Sequence, residues 1–97
     1  MTNINLVFDG NLDDADIIAV PDEIVSIIEE IGAEFLRWVS TAEDSDYWTI
    51  IDGRRCVVAE TNGFIKWINS CYCNETEKAC IVARNIKFCP DYRIIEF

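Results

Sequence analysis

The feature that most constrains the fold is an amphipathic pattern between residues 21 and 39. Its apolar residues recur at helical spacing: Ile24, Ile28, Ile31, Phe35 and Trp38, with Ile27 and Val39 widening the stripe. Pro21 suits the first position of a helix, and Asp22 and Glu23 suit the first turn, since they face the positive end of the helix dipole. The pattern predicts a helix of about 18 residues whose apolar stripe packs on a core.

Segments with strand character surround this helix on both sides. The predicted strands cover residues 4–8, 16–20, 47–51, 54–60 and 93–97. The second of these is either a short strand or an extended approach to the helix. Asp52-Gly53 separates two β-rich runs, and this pair favours a tight hairpin because both turn residues tolerate positive φ.

Thr61 is predicted to cap a second helix over residues 62–72. Residues 79–88 fit two structures. The compact apolar run Cys80-Ile81-Val82-Ala83 favours a central strand, although Ala79, Val82, Ala83 and Ile86 also fit helical spacing. With a strand there, the order of elements predicts a single α+β domain over residues 1–97. We expect a mainly antiparallel sheet of about four to six strands with two helices packed on one face.

Charge is distributed very unevenly along the chain. Residues 1–52 contain thirteen acidic residues and one base, Arg37, whereas residues 53–97 contain five acidic and seven basic residues. The formal net charge of −10 repels phosphate backbones and membrane surfaces and attracts basic partners. We therefore expect no direct binding of nucleic acid or membranes.

The five cysteines are consistent with a reducing compartment. A secretory signal has a basic segment followed by an apolar one, and the first residues of this chain have neither. A soluble cytoplasmic protein is therefore expected. An odd number of cysteines disfavours a disulfide framework. Most are predicted to be small buried residues, with Cys71 and Cys73 the most exposed. A zinc site from Cys71, Cys73, Cys80 and Cys89 is the weaker alternative because their spacing is unusual.

The usual chemistry of catalysis is missing from the sequence. Histidine is absent, so the commonest general base and the Ser-His and Cys-His arrangements are unavailable. Residues 9–16 begin like a calcium-binding EF-hand loop, but Asp14 stands where Gly is needed and Val20 where Glu is needed. The sequence predicts a protein that is not an enzyme and has no catalytic residues, metal site or cofactor.

Acidic clusters are then the best candidates for a partner-binding surface. Their predicted members are Asp13, Asp14, Asp16, Glu30, Glu34, Glu43, Asp44 and Asp46. Tyr47 and Trp48 follow the last cluster, and on adjacent strand positions at least one ring points away from the core. That ring is either an interface anchor or packed across the hairpin.

In composition and layout the chain resembles the small acidic immunity proteins of contact-dependent growth inhibition and other polymorphic toxin systems. This resemblance implies a non-enzymatic inhibitor that neutralises a basic partner, most simply the nuclease domain of a bacterial toxin. A fixed set of carboxylates would associate rapidly with the positive cleft of such a nuclease and exclude its substrate.

Two alternatives stay open at this point. A nucleic-acid mimic from a phage or mobile element, acting against restriction or CRISPR nucleases, follows the same physics but needs carboxylates arrayed at phosphate-like intervals. A small regulatory subunit of a larger complex is compatible with the size of the chain. The oligomeric state is not determined by the sequence.

Overall fold

The computed structural model describes residues 1–8, 10–39, 41, 48–57 and 61–97, and for residues 48, 49 and 55–57 it describes the main chain only. In chain order the elements are β1 (Thr2–Val7), β2 (Ala15–Val20), a 3₁₀ segment (Asp22–Ile27), α1 (Ile28–Val39), β3 (Trp48–Ile51), β4 (Arg54–Val57), α2 (Thr61–Cys71), β5 (Cys80–Ile86) and β6 (Arg93–Glu96).

Four of the strands form one sheet in the order β5-β2-β1-β6, and β3 pairs with β4 in a separate hairpin. β1 is antiparallel to β2 and β2 to β5, whereas β1 and β6 are parallel. The predicted α+β class is confirmed, and the strand prediction for residues 79–88 is confirmed by β5. The strand prediction for residues 16–20 is confirmed by β2.

The predicted first helix is present, but its first part is wound more tightly. Pro21 has an extended main chain, with φ −55° and ψ 138°, so it precedes the helical residues instead of starting them. The apolar stripe is buried at Ile24, Ile28, Ile31 and Phe35, as the spacing predicts. Trp38 departs from the prediction because 38% of its surface is exposed.

The hairpin turn has the geometry that its two residues indicate. Asp52 has φ 52° and Gly53 has φ 76°, which matches the two positive φ values of a tight hairpin turn. An added Cβ on Gly53 would meet nothing within 4 Å, so the local reason for glycine is its main-chain conformation.

The main core lies between the sheet and the two helices. Phe35 of α1 is central, with ring centroids 5.2 Å from Phe64 and 5.4 Å from Trp67, both on α2. Ile4 and Leu6 of β1 are fully buried in the same cluster. These contacts fix α1 against both α2 and the sheet.

The opposite face of the sheet is covered by the connection between β5 and β6, residues 87–92. β5 and β6 form opposite edges of the sheet, so this segment crosses β2 and β1. The side-chain amide of Asn5 donates to the carbonyls of Cys89 (2.9 Å) and Tyr92 (3.1 Å) and accepts from the Cys89 N–H (2.9 Å). The crossing segment is thereby attached to the centre of β1.

The prediction that most cysteines are buried is wrong for the four side chains that the structure describes, whereas the expected exposure of Cys71 is confirmed. Cys71 and Cys80 are exposed, and Cys73 and Cys89 are partly exposed. Cys71 ends α2, and Cys80 begins an edge strand, so both lie at the margin of the core. Small size and apolar character do not bury a residue at such places.

Candidate functional site

The predicted site residues fall into separate places in the fold. Asp13 and Asp14 lie in the turn between β1 and β2, where both side chains are exposed. The side-chain oxygen of Asn11 accepts a hydrogen bond from the main-chain N–H of Asp13 (3.2 Å), which orders the turn. These two carboxylates are available to a partner.

Asp16 is used inside the molecule. Its carboxylate accepts hydrogen bonds from the Thr61 hydroxyl and from the Asn85 N–H (3.0 Å), which joins β2 to the start of α2 and to β5. The register between β2 and β5 is irregular at this point, and Asn85 has φ 54°. Asp16 therefore supports the fold, and its predicted role in binding stays a prediction.

Glu30 and Glu34 lie on the flank of α1 that faces α2, and both are exposed. The Glu34 carboxylate accepts a hydrogen bond from the Tyr72 hydroxyl, just beyond the end of α2. That hydrogen bond, with partial burial and the negative charge beside it, raises the pKa of Tyr72 above its ordinary value. Through this hydrogen bond Tyr72 holds the Glu34 side chain on the flank of α1 that faces α2.

Trp38 follows on the same flank, one helical turn after Glu34. Its ring centroid lies 6.1 Å from that of Trp67, which lies 5.6 Å from that of Tyr72. We call Glu30, Glu34, Trp38 and Tyr72 the Trp38 surface. An exposed indole supported by other rings and bordered by carboxylates suits a lysine or arginine side chain, through both ion pairing and contact with the ring face.

The sequence did not identify Trp38 as part of a surface, because helical spacing assigned it to the buried stripe. The feature of the sequence that could have indicated a surface position is that Trp38 lies at the edge of that stripe, four residues after Glu34. Positions four apart on a helix are neighbours, so a tryptophan at the margin of an acidic flank is a candidate anchor.

The second predicted cluster falls largely outside the described residues. The structure does not describe Glu43, Asp44, Asp46 and Tyr47, so their roles in partner binding stay predictions. Trp48 begins β3, but only its main chain is described, and it pairs with Val57 of β4.

A groove lies on the other flank of α1, between this helix and β6. Its volume is about 510 Å³, and we call it the β6 groove, lined by Glu29, Gly32, Ala33, Leu36, Ile94, Ile95 and Glu96. Five of these lining residues are apolar, and the Glu29 side chain stands at the margin of the groove. Glu29 forms an ion pair with Arg93 (3.1 Å), whose guanidinium also donates to the Val25 carbonyl (3.2 Å).

In the parts of the chain that the structure describes, no three Cys, Asp or Glu side chains gather as a metal-binding group. None of the described helices has the length and apolar character needed to cross a membrane. No protein-family model, curated protein or solved structure matches this chain. Function is therefore inferred from charge and geometry.

Proposed function

We propose that this protein is a non-enzymatic cytoplasmic inhibitor that binds a basic partner protein, and that the partner is the nuclease domain of a bacterial toxin. The observation that carries the proposal is the Trp38 surface, where two exposed carboxylates and an exposed tryptophan lie on one flank of α1. A binding surface of this composition needs no catalytic group.

The proposed complex forms in two physical stages. The acidic half of the chain attracts the positive cleft of the nuclease over a distance set by ionic strength, about 8–10 Å at physiological salt. Contact then places a cationic side chain of the partner between Glu34 and the Trp38 ring. The cleft that would hold nucleic acid is occupied, so the nuclease is inactive.

Charge reversal tests whether the Trp38 surface receives the partner. The Glu30→Lys/Glu34→Lys variant is expected to associate about tenfold more slowly with the basic partner at low salt, because steering depends on local as well as total charge. The difference is expected to shrink as salt rises. Stopped-flow fluorescence of Trp38 and the other tryptophans reports the association rate.

The matched control is Glu75→Lys/Glu77→Lys, which makes the same change in net charge in the connection between α2 and β5. It should slow association less than the α1 variant. Asp16 is left unchanged in this experiment, because its carboxylate bonds Thr61 and Asn85 within the fold. Equal rates for the two variants at every salt concentration would place the binding surface elsewhere.

A further inference from the structure

β6 has one edge without a neighbouring strand in the described sheet, where it forms the end of the order β5-β2-β1-β6. The Phe97 N–H donates to the Val7 carbonyl (2.9 Å). The odd-numbered residues of β6 therefore direct their main-chain N–H and C=O groups toward β1. Since these groups alternate along a strand, the N–H and C=O of Ile94 and Glu96 point toward the outer edge. Such an edge is a template for another strand.

The side chains of β6 and α1 beside this edge determine which groups an added strand would contact. Ile95 faces α1, because its Cγ2 lies 3.5 Å from the position of a Cβ on Gly32. The side chains of Ile94 and Glu96 therefore lie on the opposite face. A strand laid along β6 would direct alternate side chains toward Ala33 and Leu36 on one face and past Glu96 on the other.

The other edge of the sheet is less suited to this pairing. The pairing of β5 with β2 has register shifts near Ala15 and Ile17. Bulges are among the usual devices that keep an edge strand from pairing. The β6 register with β1 is continuous over Arg93–Glu96.

We propose that the β6 groove receives an extended segment of the basic partner, which adds to the sheet as a strand beside β6. Apolar side chains of the segment contact Ala33 and Leu36, and alternating basic side chains pass Glu96 on the opposite face. The identity of the occupant rests on the proposed function. A second copy of this chain is the poorer occupant, because pairing through β6 would bring two acidic α1 helices together.

The probe is a synthetic peptide of about eight residues that alternates valine and lysine, with both ends blocked. Two further peptides have every second main-chain amide N-methylated, in one alternation or the other. The unmodified peptide is expected to bind and to slow amide exchange at Ile94 and Glu96 about tenfold. Strand pairing uses one set of peptide amides, so one methylated peptide should bind about tenfold more weakly and the other should bind normally.

A pair of variants tests the groove wall. Ala33→Trp, at an exposed position of α1, should weaken peptide binding about tenfold because the ring fills the groove. Ser70→Trp places the same ring at an exposed position of α2 and should leave binding unchanged. Circular dichroism and urea unfolding verify that both variants are folded.

Several outcomes would overturn strand addition. They are no peptide binding at millimolar concentration, equal binding of all three peptides, or peptide binding without protection of Ile94 and Glu96. The same exchange measurement on a complex with the nuclease separates the two proposals. A bound nuclease that leaves both amides unprotected overturns strand addition and leaves the proposed function intact. Peptide pairing on β6 without any nuclease partner supports strand addition while the proposed function fails.

Discussion

Replacing Asn5 with alanine is expected to lower the free energy of unfolding by about 3 kcal/mol, because the part-buried Cys89 N–H and Tyr92 carbonyl lose the hydrogen bonds that Asn5 makes with them. Asn5 has 0% exposure, and its amide satisfies the Cys89 N–H and the carbonyls of Cys89 and Tyr92. Without them the segment 87–92 loses its attachment to β1. Urea unfolding measures the change, and amide exchange at Cys89 should become faster.

Two further variants make this prediction specific. Asn3→Ala changes the same residue type at a partly exposed position of β1 and should alter stability by less than about 0.5 kcal/mol. Asn5→Asp keeps the size of the side chain but turns a donor into an acceptor facing two carbonyl oxygens, so it should destabilise at neutral pH. Equal stability of Asn5→Ala and wild type would show that the crossing segment is held by other contacts.

The role of Asn5 shows where the sequence is informative about the fold and where it is not. The sequence predicted a strand over residues 4–8, and the structure has β1 there, with Ile4 and Leu6 buried against the helices. The burial of Asn5 depends on residues 87–92, more than eighty positions later. A contact between such distant segments leaves no periodic pattern in either of them.

The parallel pairing of β1 and β6 also joins segments that are distant in the sequence, and the sequence did not predict it. Hairpin signals along the sequence predict antiparallel neighbours, and these were found at β1–β2 and β3–β4. The position of β6 is decided by the path of segment 87–92 across the sheet. A short connection without helical spacing does not reveal which edge it reaches.

The sequence predicted that the candidate site is acidic, but it did not predict how its side chains are arranged. The sequence predicted Glu30 and Glu34 as members of the acidic clusters, and the structure places both on an exposed flank of α1. Asp16 belongs to the same acidic cluster in the sequence as Asp14, but hydrogen bonds within the fold occupy its carboxylate. Charge density alone does not distinguish a partly buried carboxylate with two hydrogen bonds inside the fold, as in Asp16, from an exposed carboxylate such as that of Glu34, which accepts one from Tyr72.

Replacing Trp38 with alanine is expected to weaken the complex with the basic partner about thirtyfold, close to 2 kcal/mol, because exposed aromatic anchors dominate such interfaces. The loss should come mainly from faster dissociation, as contact area is lost and net charge is unchanged. Surface plasmon resonance with the immobilised partner separates the two rate constants.

Ile86→Ala is the control for Trp38. Ile86 is 39% exposed, which matches the 38% of Trp38, but it lies in β5 at the far edge of the sheet. Its removal should change affinity less than about threefold. A larger effect for Ile86 than for Trp38 would assign the contact to the β5 side of the molecule.

Inhibition of a nuclease tests the central claim most directly. The partner is captured from the native host with the tagged protein, identified by mass spectrometry, purified, and assayed for nucleic-acid cleavage while this protein is added. We predict that a basic nuclease is captured and that its cleavage activity falls to zero at about one equivalent, as tight binding requires. Capture of a partner without nuclease activity, or a nuclease that stays fully active at a large excess of this protein, would contradict the account.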